Sequence, residues 1–317
     1  MAQRQTLQYV VVDVFTSQRY LGNPLAIVYL SETPISQKRK QLIAREFNLM
    51  ETVFIHPGDE TSSSRTVDIF TTDEELPFAG HPTVGTTSWL LELSPNQNDR
   101  KVTSLITKAG EFSVARRPSG PGVAARISHN VHFHAARLQL SELLRLHPSL
   151  SPYLKLTSSF PVFSIVKGMS QVFVELPTIE ALGALEGALG GEILPCTPVS
   201  QGGYLDDGWD NGLIIIYFYV AEWEDTTGEK VIRSRMFLRN AEDPATGSAA
   251  CGLASYLALT TTEASTSEYH IVQGVEMGRR SDIKVTVSTE AHGGTKRINS
   301  VELSGTSVQF SSGELII

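Results

Sequence analysis

Two cysteines, Cys196 and Cys251, are all that 317 residues contain. Two are too few for a disulfide framework, and so low a count fits a reducing compartment and a cytoplasmic protein. Basic residues are also scarce. The balance of 26 Lys and Arg to 34 Asp and Glu gives a net charge of −8, which argues against nucleic acid or an anionic membrane as partner. Arg116-Arg117 and Arg279-Arg280 are isolated pairs, not a basic patch. The longest apolar run, "GLIIIYFYVA" from Gly212, is far too short to cross a bilayer and reads as a buried strand. The polar start "MAQRQTLQ" shows no secretory signal pattern. There is no Gly-Lys-Ser/Thr phosphate loop and no Gly-x-Ser-x-Gly elbow. The glycines of "GALEGALGGE" fall within or after a helix pattern, so they form no dinucleotide fingerprint.

What is present is strand after strand. "LQYVVVDVF", "LGNPLAIVYL", "ETVFIH", "TVDIF" and "EFSVARR" read as strands, and "VFSIVK", "QVFVEL", "VIRSRMF", "YHIVQG" and "DIKVTVS" repeat the style later. The spacing of Ile35, Leu42, Ile43 and Phe47 predicts a helix, and shorter helices are expected at residues 141–147 and 178–189. The tail from Arg297 reads as short strands joined at glycines, and "RRPSGPG", residues 116–122, reads as a linker. A chain of this length exceeds one ordinary core, so two units are expected.

Two stretches stand apart. "PFAGHPTVGTTSWLLEL" starts at Pro77, and "DPATGSAACGLASYLAL" starts at Asp243. With Gly80-His81 set over Gly247-Ser248, Gly85 meets Gly252, Ser88 meets Ser255 and Trp89 meets Tyr256, at an offset of 167 residues. Shared spacing at about half the chain length points to an internal duplication. Each copy begins with glycine and a polar side chain, then turns small and apolar. That predicts one tightly packed helix per half, with a curled sheet around it: an α+β fold of two pseudo-symmetric domains. Each helix start offers backbone N–H groups and about half a positive charge, which suits an anion.

Several side chains have two readings. Glu51 lies between a helix end and the apolar strand "TVFI", so it is either a solvated acid at a bend or a desolvated base. Asp243 is either a helix cap or a site acid, and Ser248 is either a plain helix-start hydroxyl or a site donor. His129, His132 and His134 cluster, but no cysteine or carboxylate stands near them in the sequence, so no metal site is expected. Cys251, inside the second helix, reads as core.

"VDVFTSQRYLGNPLAIV", "FNLMETVFI", "ELPFAGHPTVGT", "EDPATGSAA" and "QGVEMGRRSDIKV", in this order, resemble the phenazine-biosynthesis PhzF-like isomerase family, over residues 11 to about 290. The resemblance implies the diaminopimelate epimerase-like fold, with a barrel-like sheet around a central helix in each domain and a cleft between them. It implies domains of 1–122, completed by 305–317, and 123–304. It further implies Glu51 as the catalytic acid–base group, supported by His81, Asp243 and Ser248, with Gly80, Gly247 and Asn23 on the substrate. The family's characterised enzyme isomerises trans-2,3-dihydro-3-hydroxyanthranilate by proton transfer, so the expectation is a small carboxylate substrate, no metal, no cofactor and a homodimer. Related epimerases use a cysteine at each helix start. Here those places hold Ala79-Gly80 and Thr246-Gly247, which leaves carboxylate chemistry. Met50 before Glu51, the short "RMFLRNAEDP" and Arg280 depart from the family pattern, and they bear on substrate choice. The rival expectation is a protein of the same fold that only binds a metabolite or another protein.

Overall fold

The computed structural model describes residues 5–59, 62–155, 159–224 and 228–317. The chain forms two compact units: one runs to Ile127 and takes back Leu303–Ile317, and the other is Ser128–Glu302. The first contains β1 (Thr6–Val14), β2 (Asn23–Tyr29), α1 (Gln37–Phe47), β3 (Glu51–Ile55), β4 (Ser64–Phe70), β5 (Glu75–Leu76), α2 (Gly80–Ser88), β6 (Ser104–Thr107), β7 (Gly110–Arg116) and β8 (Val123–Ile127). The second opens with β9 (His132–Gln139), α3 (Leu140–Leu146), β10 (Ser159–Val166), β11 (Met169–Glu175) and α4 (Ile179–Gly183). It continues with β12 (Leu213–Glu224), β13 (Lys230–Leu238), β14 (Ala241–Glu242), α5 (Gly247–Thr260), β15 (Thr266–Gln273) and β16 (Ser281–His292). The long β17 (Thr295–Gly305) leads back to β18 (Ser307–Ile316).

Strand pairing repeats in the two units. From β1, successive pairs β1–β2, β2–β3, β3–β4, β4–β6 and β6–β7 alternate antiparallel and parallel. From β10, the pairs β10–β11, β11–β12, β12–β13, β13–β15 and β15–β16 alternate in the same order. In both units a two-residue strand, β5 or β14, pairs with the strand before it just ahead of the central helix. The residue match at offset 167 is therefore matched by topology, and Gly80 and Gly247 are each the first residue of their helix.

Both central helices are enclosed by sheet. Every residue of α2 is buried, and the helix touches β1, β2, β3, β7 and β8. The α5 helix lies against β10, β11, β15 and β16. Two glycines make the close approach possible. A methyl group on Gly85 would stand 2.6 Å from Val14 and 2.7 Å from Leu25, and one on Gly252 would stand 2.7 Å from the Gln171 amide oxygen. The helices then diverge. The α2 helix widens into a π-turn over Trp89–Leu93, whereas α5 continues as regular helix to Thr260.

The α1 helix follows from local chemistry. Ser36 caps its start by accepting from the Arg39 amide, and Asn48 ends it in the left-handed region at φ 52°. Ile43 and Ala44 turn into a small core with Leu7, Val28, Phe54 and Phe70. Among the described residues no helix is long and apolar enough to cross a membrane. Both cysteines are free, and burial pushes the Cys251 thiol up to about 12.

Three local expectations need correction. Residues 116–122 are the turn of the β7–β8 hairpin: Arg116 stands opposite Val123, and the Arg117 amide donates to Gly122 O. Proline and glycine serve a hairpin tip as well as a linker, so the division falls after Ile127, not after Gly122. The tail is two long strands, not several short ones. Its Gly305 and Gly313 make room for rings, since an added methyl would stand 2.5 Å from Phe15 and 2.9 Å from Tyr9. The helix expected over 178–189 stops at Gly183, and Gly190 and Gly191 beyond it both take φ 67°.

Candidate active site

In the first unit the site begins with register. β2 and β3 run parallel, and Leu25 is level with Glu51. Residues level with each other on paired strands share a sheet face. Leu25 faces Gly85 of α2, so the same face carries Glu51 to that helix, and Asn23, two residues before Leu25, shares it. Only Asn48, Leu49 and Met50 separate α1 from Glu51, the first residue of β3. Glu51 Oε2 lies 3.1 Å from Nδ1 of His81, the second residue of α2, with side-chain exposures of 16% and 4%.

Proximity here is not pairing. The two groups are within ion-pair distance but not aligned for a hydrogen bond: Glu51 Oε2 and His81 Nε2 are both buried and have no hydrogen-bond partner among the described residues. The α2 N-cap is Ala79, which supplies no side-chain acceptor, and the first turn contains no acid. Gly80 and His81 thus begin a helix whose first amides have no acceptor inside the helix. A buried carboxylate oxygen, a buried imidazole nitrogen and a positive helix end converge without compensating bonds. Buried polar groups are as a rule hydrogen-bonded, so this unbonded set marks the α2 start as a candidate site.

The start of α5, in the second unit, is built the opposite way. Asp243 is buried; its Oδ1 accepts from the Ala245 amide at 3.2 Å, and its Oδ2 accepts from the Thr246 hydroxyl at 2.6 Å. Gln273 at the end of β15 clamps this turn. Its Nε2 donates to Asp243 O at 2.8 Å and to Thr246 Oγ1 at 2.9 Å, while its Oε1 accepts from the Thr246 amide at 3.2 Å. Tyr217 donates to the same Oε1 at 2.8 Å, and Ser234 donates to Tyr217. Burial, with Asp243 adding to it, pushes the Tyr217 hydroxyl well above its ordinary range. The carboxylate of Asp243 therefore closes a turn ahead of the helix, and the cap position belongs to Thr246. Gly247 is buried and Ser248 half-buried in the first turn of α5.

The sequence suggested Asp243 but not its partners. Gln273 lies 30 residues after Asp243 and Tyr217 well before it; a buried glutamine at a strand end gives no advance signal of what it will bind. The histidine cluster has a similar lesson. Asp206, 74 residues from His132, places Oδ2 2.7 Å from His132 Nε2, so His132, His134 and Asp206 lie close enough to meet one metal ion. The carboxylate missing from the sequence neighbourhood is supplied by the fold. Yet His134 Nε2 is bonded to Ser164 and its Nδ1 accepts the Asp206 amide at 2.9 Å, which uses its one lone pair. Trp209 stacks on His132 at 4.6 Å. Burial first, and His132 second, lower the His134 pKa to about 4, so the ring is neutral. This is a closed hydrogen-bond network, with no ligand position to spare on His134.

A family model described as phenazine biosynthesis-like protein matches residues 12–313. The trans-2,3-dihydro-3-hydroxyanthranilate isomerase of Pseudomonas fluorescens is 32% identical over 98% of this chain and 99% of its own. Among solved structures, a PhzF-family phenazine biosynthesis protein from Bacillus anthracis covers 99% of this chain and all of its own at 22% identity, with a TM-score of 0.72. A hydroxyproline epimerase from Agrobacterium vitis, with trans-4-hydroxy-L-proline bound, shares the fold at 13% identity, covering 99% of this chain and 94% of its own with a TM-score of 0.60.

Proposed function

The chain belongs to the phenazine biosynthesis-like protein family and is an isomerase of it, and on that premise we propose that it moves a proton between carbons of a small carboxylate substrate, with Glu51 as the acid–base group. The single observation that supports this most is Glu51 Oε2, buried beside His81 at 3.1 Å and without a hydrogen bond among the described residues. Substrate names come from relatives, one of which acts on trans-2,3-dihydro-3-hydroxyanthranilate. The proposal for this chain is the same class of molecule: a small carboxylate with a carbon acid next to an unsaturated system.

In the proposed reaction the Glu51 carboxylate takes a proton from carbon and becomes a carboxylic acid. The C–H electron pair enters the conjugated system of the substrate as the double bond shifts. Glu51 then returns the proton to a different carbon, so the step is redox-neutral and consumes no co-reactant. A positioned acid–base group of this kind contributes about 10²–10⁴-fold. The developing negative charge is met by donors already in place, and the α2 start with Gly80 and His81 is suited to that. In this reading Asn23, Gly247, Ser248 and Asp243 complete the site around the substrate, and the protein works as a cytoplasmic homodimer with no cofactor.

Glu51→Gln tests the assignment, because it keeps size and polarity but removes the base. Exchange of a substrate C–H with deuterated solvent should fall at least about 100-fold. Binding of the same carboxylate, measured by calorimetry, should persist. Exchange at the wild-type rate would remove Glu51 from the mechanism, and binding without exchange in the wild-type protein would leave only a binding role.

A further inference from the structure

The α1 helix carries an exposed face that the site does not use. Arg39, Leu42 and Glu46 are spaced three and four apart, so they share that face. Leu42 is 49% exposed in its centre. Beside it a groove of about 370 Å³ is floored by Ile43, Phe47, Leu315 and Ile317 and rimmed by Ile316, which is 67% exposed. Leaving a leucine and an isoleucine half or more open to water at one groove forgoes part of the gain their burial would bring.

The charges at the two ends say what fits. Arg39 and Glu46 are both exposed, and neither makes an ion pair among the described residues. Seven residues of helix separate them by about 10 Å, too far to pair with each other. A two-fold axis across the helix between Leu42 and Ile43 changes this. A second copy of α1, laid antiparallel, brings its Glu46 to Arg39 and its Arg39 to Glu46, while Leu42 meets Leu42. The face is its own complement, as an isologous interface requires.

We propose that this α1 face, with the groove beside it, is the surface through which two copies of the chain associate. Apolar contact at Leu42, Ile316 and the groove supplies the attraction; the two reciprocal charge pairs select the antiparallel orientation. The proposal rests on the homodimer reading above and says where the copies meet.

Charge reversal tests it without disturbing the core, since both charged residues are exposed. Sedimentation at micromolar concentration should give a dimer for the wild-type chain. Arg39→Glu alone places two like-charged pairs at the interface and should weaken the dimer at least about tenfold; Glu46→Arg should do the same. An equimolar mixture of the two variants restores both opposite-charge pairs, so mixed dimers should reappear. Leu42→Asp should be a monomer. A wild-type monomer would overturn the homodimer itself. A wild-type dimer with unaffected variants would overturn only this location, as would variants that separate but fail to recombine on mixing. None of these outcomes bears on Glu51, whose role is read by deuterium exchange.

Discussion

The starts of α2 and α5 occupy equivalent places in a repeated topology, yet they are finished in opposite ways. At α2 a carboxylate and an imidazole sit 3.1 Å apart, and each keeps a buried atom without a hydrogen-bond partner among the described residues. At α5 Asp243, Thr246, Gln273, Tyr217 and Ser234 bond one another. Buried polar atoms without partners cost stability, and a satisfied network gives rigidity. One copy of the design has kept its bonding capacity open, and the other has used it to fix a helix start. Duplication allows this: both helices are held by the same surrounding topology, and their starts are free to diverge.

The comparison breaks most visibly at Gln273. Gln273→Ala would take a hydrogen bond from the Asp243 carbonyl, from both the hydroxyl and the amide of Thr246, and from the Tyr217 hydroxyl together. The expected loss is at least about 2 kcal/mol in chemical denaturation, at about 0.5–1.5 kcal/mol for each of these hydrogen bonds. His81→Asn at the open end removes no bond and should cost much less. Equal losses at the two sites would erase the distinction.

A second handle is pH. His134 is kept neutral in the second unit, with its pKa lowered to about 4 by burial. A histidine with a depressed folded pKa contributes stability in full above its unfolded value near 6.5. That contribution is lost as pH falls from there towards 4, and the shift corresponds to up to about 3 kcal/mol. His134→Asn keeps an acceptor for the Asp206 amide but cannot titrate. The stability difference between wild type and His134→Asn should therefore shrink as denaturation is repeated from pH 7 down to 4. A constant difference would mean that His134 charges as readily in the folded chain as in the unfolded one.

The smallest effect compares the two helix glycines. Gly85→Ala would drive a methyl into Val14 and Leu25, both fully buried, and should cost about 1–3 kcal/mol. Gly252→Ala meets chiefly the end of the Gln171 side chain, which no hydrogen bond holds among the described residues. Turning that amide aside, together with the helix preference of Ala over Gly, should keep its cost at least about 1 kcal/mol lower. Thermal melts of the two variants decide it, and a reversed order would mean that Gln171 is fixed in place.

Some of this architecture was open to reading beforehand, because it is local or repeated. Alternation marks the strands, the spacing of Ile35, Leu42, Ile43 and Phe47 marks α1, and the glycine spacing aligned two helix starts that the fold also aligns. The α+β class and the family followed from ordered motifs. What stayed hidden depends on distant partners. Nothing near His132 announces Asp206, and nothing near Asp243 announces Gln273. The turn at residues 116–122 was ambiguous for another reason: proline and glycine mark a break in regular structure but not whether the chain turns back or moves on.

One pairing also bears on how the molecule is made. β1 is antiparallel to β18 over its whole length, with Thr6 opposite Ile316 and Val14 opposite Ser307. β1 thus leaves a ribosome well before the strand it pairs with. Until β18 emerges, that edge of β1 lacks its partner, while the strand pairs of the second unit from β9 to β16 are already complete in the growing chain. Domains generally fold as units in the order of synthesis. Here that order is inverted: the unit carrying Glu51 and His81 is begun before the other and completed after it, so Glu51 and His81 should be held in place only on chains translated through β18.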